Sequence, residues 1–461
     1  MKALIILSVL GVIALFAEIF NFKKSLFTVV LTGLIVAFVA NIFDWNTSAL
    51  YFKMLYVDNY AVAFTGVIIA VAFLWFLMAG DYFKEETNLT DHFALILFAL
   101  AGAIIMVSYT NITMLFLGIE ILSISMYVLA GSKKSDLSSN EAALKYFLMG
   151  AFATGFLLFG TALIYGATAS FDLQTITAYV KANSGNISGL FYAGVLLMMV
   201  GLSFKVSAAP FHFWAPDVYQ GSPTVITTFM ATIVKTAAFA AFFRLFFTCF
   251  ATLGVVWSNV IWMMAALTLI IGNVTAVFQT SIKRMLAYSS VSHAGYMLLA
   301  ILAMSRFSAS SILYYTTAYS IATIAAFTVV YSVIQAKGND SIDSFNGLAK
   351  SNPLLSTTMT ISMLSLAGIP PMAGFFAKYF IFNAAIQQGF VSLVIIAVLA
   401  SLIGVYYYFR IIIAMNFKEN TGTATLEINS TIKWVLLITA ILSIAIGLFP
   451  DFIICLLAIS N

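Results

Sequence analysis

Apolar stretches of the length that crosses a bilayer follow one another along almost the whole of this chain, and that leaves few folds open to it. A hydrocarbon core takes about 20 helical residues, and inside it every backbone N–H and C=O has to bond within the protein. We read about fourteen spans: roughly 2–20, 25–43, 60–79, 91–109, 111–130, 141–165, 190–220, 223–250, 256–279, 282–304, 308–336, 353–388, 390–416 and 432–458. Of the 461 residues, 62% are hydrophobic and only 8% charged, with a mean hydropathy of +1.05. A soluble core needs nothing of the kind. The fold class is an all-α polytopic membrane protein embedded in a lipid bilayer. The opening Met1-Lys2 and the apolar run to Ala17 have the outline of a secretory signal. Glu18-Ile19-Phe20 makes a poor cleavage site and more spans follow, so this run reads as the first membrane helix.

The formal charge of +4 gives no reason to expect a nucleic-acid partner. Cys249 and Cys455 lie in apolar runs with no metal-ligand spacing. The sequence has no CxxC, no glycine-rich phosphate loop and no His-Glu zinc motif. We therefore expect this chain to hold no redox cofactor and no metal.

Orientation follows from lysine and arginine bias. With the N-terminus outside, the cytoplasmic loops and helix ends carry Lys23, Lys24, Lys84, Lys133, Lys134, Lys283, Arg284, Lys337, Lys350, Arg410, Lys418 and Lys433. The outside keeps Lys2, Lys53, Lys181, Arg244 and Arg306, so twelve stand against five and both termini are expected outside. The 80–91 loop is net acidic, but acids count little in this rule.

The prolines mark two interruptions. Pro210, Pro216 and Pro223 fall in or just after the seventh span, and Pro370 and Pro371 fall inside the twelfth. Proline removes a backbone donor and clashes with the preceding turn, so both helices should break at mid-depth. Five spans separate them, an odd number, so they cross in opposite directions. Gly/Pro-interrupted segments at matching places in two halves point to an inverted repeat. We expect three helices over 1–90, a five-helix repeat over 91–255 (helices 4–8), its inverted copy over 256–416 (helices 9–13), and a last helix over 417–461. No residue-by-residue identity links the two halves; topology carries the inference.

Five ionisable side chains, Glu120, Lys145, Lys205, Lys235 and Lys378, sit inside these apolar stretches. A central charged residue costs about 2.5–3.5 kcal/mol on insertion scales, and such groups mark ion or proton pathways. Glu120 lies near the middle of the fifth span; the plain alternative is a structural carboxylate bonded to a neighbouring helix. Lys205 stands five residues before Pro210, where water and freed carbonyls meet it. Burial lowers a lysine's proton affinity and a carboxylate raises it, so a Lys205–Glu120 pair is switched by separating its members; the alternative is a static brace. Lys235 is mid-span with no acid near it in sequence. Lys378 follows Pro370 by eight residues, on the half of its helix that faces the same side as the Lys205 half. Either lysine could instead snorkel to an interface. Glu141 precedes Lys145 by four residues, the favourable order for a helical ion pair, so Lys145 reads equally as a surface pair or a relay member. His212 directly follows the first break and His293 lies mid-span. Each is either a proton-passing group or a hydrogen-bonded structural histidine. Asp217 reads as an acid that fixes a loop.

Several stretches resemble a known family. Glu141-Ala-Ala-Leu-Lys145-Tyr-Phe-Leu-Met-Gly150, Phe204-Lys205-Val-Ser-Ala-Ala-Pro210-Phe-His212-Phe-Trp214, Lys283-Arg284-Met-Leu-Ala-Tyr-Ser-Ser290 and Ser365-Leu-Ala-Gly-Ile-Pro370-Pro371 look like the antiporter-like membrane subunits of respiratory complex I. The run Ala215-Pro216-Asp217-Val218-Tyr219-Gln220-Gly221-Ser222-Pro223 is similar to the N type rather than to the L and M types. Lys378 fits too, because the M type is expected to place a glutamate there. The likeness covers nearly the whole chain, most strongly about 90–416. It implies a proton channel within a proton-translocating NADH:quinone oxidoreductase. Glu120 and Lys205 would form the first pair, Lys235 would connect two half-channels, Lys378 would exchange with the other side, and Lys145 would support Lys205. It further implies that NAD, FMN, iron–sulfur clusters and quinone belong to partner subunits, with an M-type and a small K-type membrane subunit as neighbours in a bacterial inner membrane. A subunit of a multisubunit sodium/proton antiporter shares the fold and is the alternative; Asp217-Val218-Tyr219-Gln220-Gly221 argues against it. A scaffold without a channel is a third reading, which four deep lysines oppose.

Overall fold

The computed structural model describes residues 1–84, 88–183, 186–305, 307–419 and 426–458. Glu85, Glu86 and Arg306, which entered the orientation argument, lie outside them. The described chain is α-helical apart from one short hairpin. Among the described residues, eleven helices are long and apolar enough to cross a membrane: Lys23–Ile42, Asn59–Lys84, Leu89–Ser108, Ile112–Ala130, Leu137–Thr168, Thr224–Leu253, Val256–Val277, Ile282–Ala303, Ser308–Lys337, Val391–Phe417 and Ser430–Leu448. Lys2–Phe16, Gly189–Lys205 and Pro353–Ala367 are apolar but shorter.

Two of these shorter helices are front halves of interrupted ones. Gly189–Lys205 ends at Val206, the chain passes Ser207 at φ 61° and a cis Ala209–Pro210 peptide, and Trp214–Gly221 resumes the helix. Pro353–Ala367 ends on Gly368, whose φ of 82° suits a residue without Cβ. A cis Pro370–Pro371 peptide follows, then Ala373–Gln387. Both prolines therefore interrupt their helices where expected. A third irregularity had no sequence signal: Thr224–Leu253 is π-helical over Met230–Val234, immediately before Lys235, and again over Phe246–Phe250. Such wide turns concentrate at functional sites.

Polar side chains start many of the helices. Asn111, Asp136, Asp172, Ser188, Ser281, Asn352 and Asn429 each accept a hydrogen bond from a first-turn N–H, satisfying donors that a helix start leaves free. Small residues let helices close up. A Cβ on Gly160 would stand 2.7 Å from Gly194 O, and one on Gly102 would stand 2.8 Å from Gly118 O. These contacts pack Leu137–Thr168 on Gly189–Lys205 and Leu89–Ser108 on Ile112–Ala130, fixing the helices that carry Lys205 and Glu120. Ile282–Ala303 and Ser308–Lys337 are buried almost all round, whereas Leu137–Thr168 turns Leu144, Phe147, Leu148, Phe152 and Phe159 outward.

Two connections carry structure that their polar composition hid. Ala49–Tyr51 and Leu55–Val57 pair antiparallel with Leu50 opposite Tyr56. Leu173–Ala182 is a short helix that buries Leu173, Ile176 and Val180 on one side. Asp44, after the second helix, binds Lys2 at 2.9 Å and the terminal amine at 3.0 Å.

Candidate functional site

Lys205 is the last residue of its half-helix and is buried. Its ammonium donates to Ser123 Oγ, and Ser123 Oγ donates in turn to the Ile119 carbonyl one helical turn back. The rings of Tyr127 and Tyr146 flank the ammonium at 6.0 Å each. Glu120 lies within electrostatic reach of Lys205. Yet no ion pair within 4.0 Å joins them, and Glu120 Oε1 is buried without a hydrogen-bond partner. The lysine thus bonds a hydroxyl rather than the nearby acid.

Lys235 follows the first π-helical turn. Its Nζ donates to Ser290 O and Ser290 Oγ, both at 2.6 Å. Tyr319 also donates to Ser290 Oγ, at 2.9 Å, and its ring centre lies 4.8 Å from that of His293. The two His293 nitrogens reach Tyr315 OH at 2.6 Å and Tyr408 OH at 3.2 Å; Tyr408 also bonds Ser289. The Tyr296 ring lies 5.9 Å from His293, and Lys378 Nζ sits 4.9 Å over that same ring. Lys378 donates to Ala367 O at 2.7 Å, a carbonyl freed by the second break, and to Ser401 Oγ at 2.8 Å. Hydrogen bonds thus join Lys235 through Ser290 to Tyr319, and ring contacts through His293 and Tyr296 span the rest of the way to Lys378. Among the described residues, none of Lys205, Lys235 and Lys378 has a carboxylate within 4.0 Å.

Lys145 occupies a different place. It is half-exposed, at a polar cleft of about 630 Å³, and binds Glu141 at 2.7 Å and Asp217 at 2.8 Å. Asp217 also binds Arg284 at 2.8 Å, and the neighbouring Lys283 donates to Gln220 O at 2.7 Å and Ser222 O at 2.6 Å. Both sequence readings of Lys145 meet here: the helical pair with Glu141 exists, and the next residue, Tyr146, turns its ring to Lys205. Asp217, read from the sequence as a loop-fixing acid, lies instead in the first turn of the helix Trp214–Gly221. It ties the third turn of Leu137–Thr168 and the first turn of Ile282–Ala303 to the back half of the first broken helix. At the other end of Thr224–Leu253 a second cavity, about 690 Å³, holds an Arg244–Asp58 pair at 2.7 Å with the guanidinium over Tyr60. His212 is buried beside the first break with Nδ1 unpartnered and its ring against Phe213.

The serines and tyrosines were not singled out from the sequence. Ser123 had a signal, standing three residues after Glu120 and so on its face of the helix. Ser289, Ser290 and Ser292 crowd around His293, and Tyr315 and Tyr319 are spaced four apart. The partnership of Ser401 and Tyr408 with Lys378 and His293 comes from tertiary packing alone.

Residues 110–404 match the family described as "NADH:quinone oxidoreductase/Mrp antiporter, TM". The NADH-quinone oxidoreductase subunit N of Cytophaga hutchinsonii is 44% identical, over 98% of this chain and 98% of that protein. A chain of respiratory complex I from Thermus thermophilus with bound aureothin is 32% identical, with a TM-score of 0.85 and 98% of each chain covered. A chain of the Mrp complex from a Dietzia species has a TM-score of 0.88, covering 100% of this chain and 96% of its own; at 19% identity it shares the fold alone.

Proposed function

The chain belongs to the subunit N branch of the NADH:quinone oxidoreductase/Mrp antiporter membrane family, and from that premise we propose that it carries protons through the membrane arm of an NADH:quinone oxidoreductase. The observation that carries this is the row of buried groups between Lys235 and Lys378: Ser290 hydrogen-bonded to both Lys235 and Tyr319, then His293 and Tyr296 in ring contact, inside apolar helices. Lysines held by neutral oxygens change charge at less cost than lysines locked to carboxylates, because discharge strands no buried anion. Glu120 and Lys205 form the first exchanging pair. Lys235 joins the two half-paths, Lys378 exchanges with the far side, and His212 and His293 support transfer. Lys145 holds the mouth of the path through Asp217 rather than conducting.

On this reading the two short halves at the breaks cross the membrane together with the long helices and Lys2–Phe16, fourteen crossings in all, arranged as three helices over 1–90, inverted five-helix repeats over 91–255 and 256–416, and a last helix over 417–461. Both termini then lie outside a bacterial inner membrane. An M-type and a K-type membrane subunit flank the chain, and NAD, FMN, iron–sulfur clusters and quinone reside in partner subunits. Redox events there reach this chain as electrostatic and conformational coupling. Exchange of Lys378 for Met tests the far half: NADH-driven proton uptake by inverted vesicles should fall at equal complex content. Wild-type uptake would remove Lys378 from the path.

A further inference from the structure

We propose that Ser123 is a positioning residue of the Lys205 step: its hydroxyl holds the Lys205 amine off Glu120 and serves that amine in both of its charge states. The inference rests on the proton-path reading given above and adds a residue to it.

Ser123 is fully buried and lies one turn beyond Glu120 on the same helix face. Its O–H is committed to the Ile119 carbonyl, which turns the oxygen lone pairs toward Lys205 Nζ. One N–H of a charged Lys205 therefore has an acceptor other than Glu120, whose buried Oε1 stays unpartnered. Tyr127 and Tyr146 complete the surround, presenting ring faces to the ammonium. After Lys205 gives up its proton, the amine nitrogen carries a lone pair and the ammonium's acceptor becomes surplus. A serine hydroxyl can rotate from the Ile119 carbonyl and donate to that nitrogen, a change open to no other uncharged group touching Lys205 Nζ among the described residues. Ser123 thus bonds Lys205 before and after transfer, so the buried nitrogen keeps one hydrogen-bond partner in both states. Without the hydroxyl, a charged Lys205 has Glu120 as its remaining partner, and a direct ion pair resists discharge.

The substitutions S123A, S123T and S123V, made in the chromosomal subunit and assayed in the whole membrane-bound complex, separate the hydroxyl from volume, since Thr and Val have the same shape. NADH-driven proton uptake is compared at matched complex content, alongside Lys205→Ala. The expected result is a drop of about tenfold for Ala and Val, the effect of losing one hydrogen bond to a charged group, with Thr close to wild type. If Val does not assemble, Ala against Thr makes the same comparison. Wild-type uptake in Ala and Val alongside a dead Lys205→Ala would overturn the role of Ser123 and leave the path standing. Thr as low as Val would overturn it as well, since the hydroxyl would then not be what matters. Wild-type uptake in Lys205→Ala would overturn both together.

Discussion

Substituting Lys235 by Met removes the charge at the centre of the proposed path while leaving its surroundings almost whole. Two hydrogen bonds to Ser290 are lost, both 2.6 Å long, each worth about 1.5–3 kcal/mol with a charged donor. Against this, a charged side chain in mid-membrane costs about 2.5–3.5 kcal/mol, which Met does not incur. The terms offset to within about 3.5 kcal/mol. Ser290 Oγ keeps the Tyr319 hydroxyl as donor at 2.9 Å. Met is unbranched and fills the lysine's channel without forcing its neighbours. The complex should therefore assemble in near-normal amount, read on a native gel of solubilised membranes, while NADH-driven proton uptake in inverted vesicles falls severalfold or more. Normal uptake by membranes containing the assembled variant would refute a central role for Lys235. Loss of the complex itself would refute the energetic reasoning.

Gly374→Ala should lower the amount of assembled complex, because its Cβ would stand 1.8 Å from the Ser365 carbonyl oxygen, backbone that cannot turn aside; overpacking of this kind costs about 1–3 kcal/mol or more. An unchanged amount on native gels would contradict the close packing of the second broken helix. Burial pushes the Asp44 carboxyl up, but Lys2 and the terminal amine outweigh it and hold the group below its ordinary 3.8. A lowered value in the folded state means stability present above the ordinary value and lost as pH falls through the lowered one. Thermal melting of the purified complex from about pH 5 to pH 3 should therefore decline more steeply in wild type than in Asp44→Asn. Parallel declines would show that this clasp contributes nothing.

The membrane fold was legible because its signals are local. Apolar runs long enough to span, prolines that cannot continue a helix, and isolated lysines in such runs each speak without knowledge of neighbours. The breaks at Pro210 and Pro370-Pro371 duly interrupt the helices there. What escaped depends on partners remote in sequence. The π-helical turn before Lys235 leaves no mark in Met230-Ala-Thr-Ile-Val234. The 49–57 hairpin is too short for its alternation to stand out against noise. Ser123 meets Lys205 from 82 residues away and Ser401 meets Lys378 from 23. Asp217 looked like a loop acid because its two cations, Lys145 and Arg284, arrive from helices on either side of it in the sequence. Buried charge was visible in the sequence; the neutral groups that make buried charge tolerable were not.

The most direct test is NADH-driven proton uptake in inverted membrane vesicles, with wild type set against Lys205→Ala at matched complex content. Lys205 is buried, bound to Ser123 and close to Glu120 without pairing to it. If it exchanges protons, uptake is lost while the complex remains intact. Uptake equal to wild type would make this lysine structural and contradict a proton path through the chain.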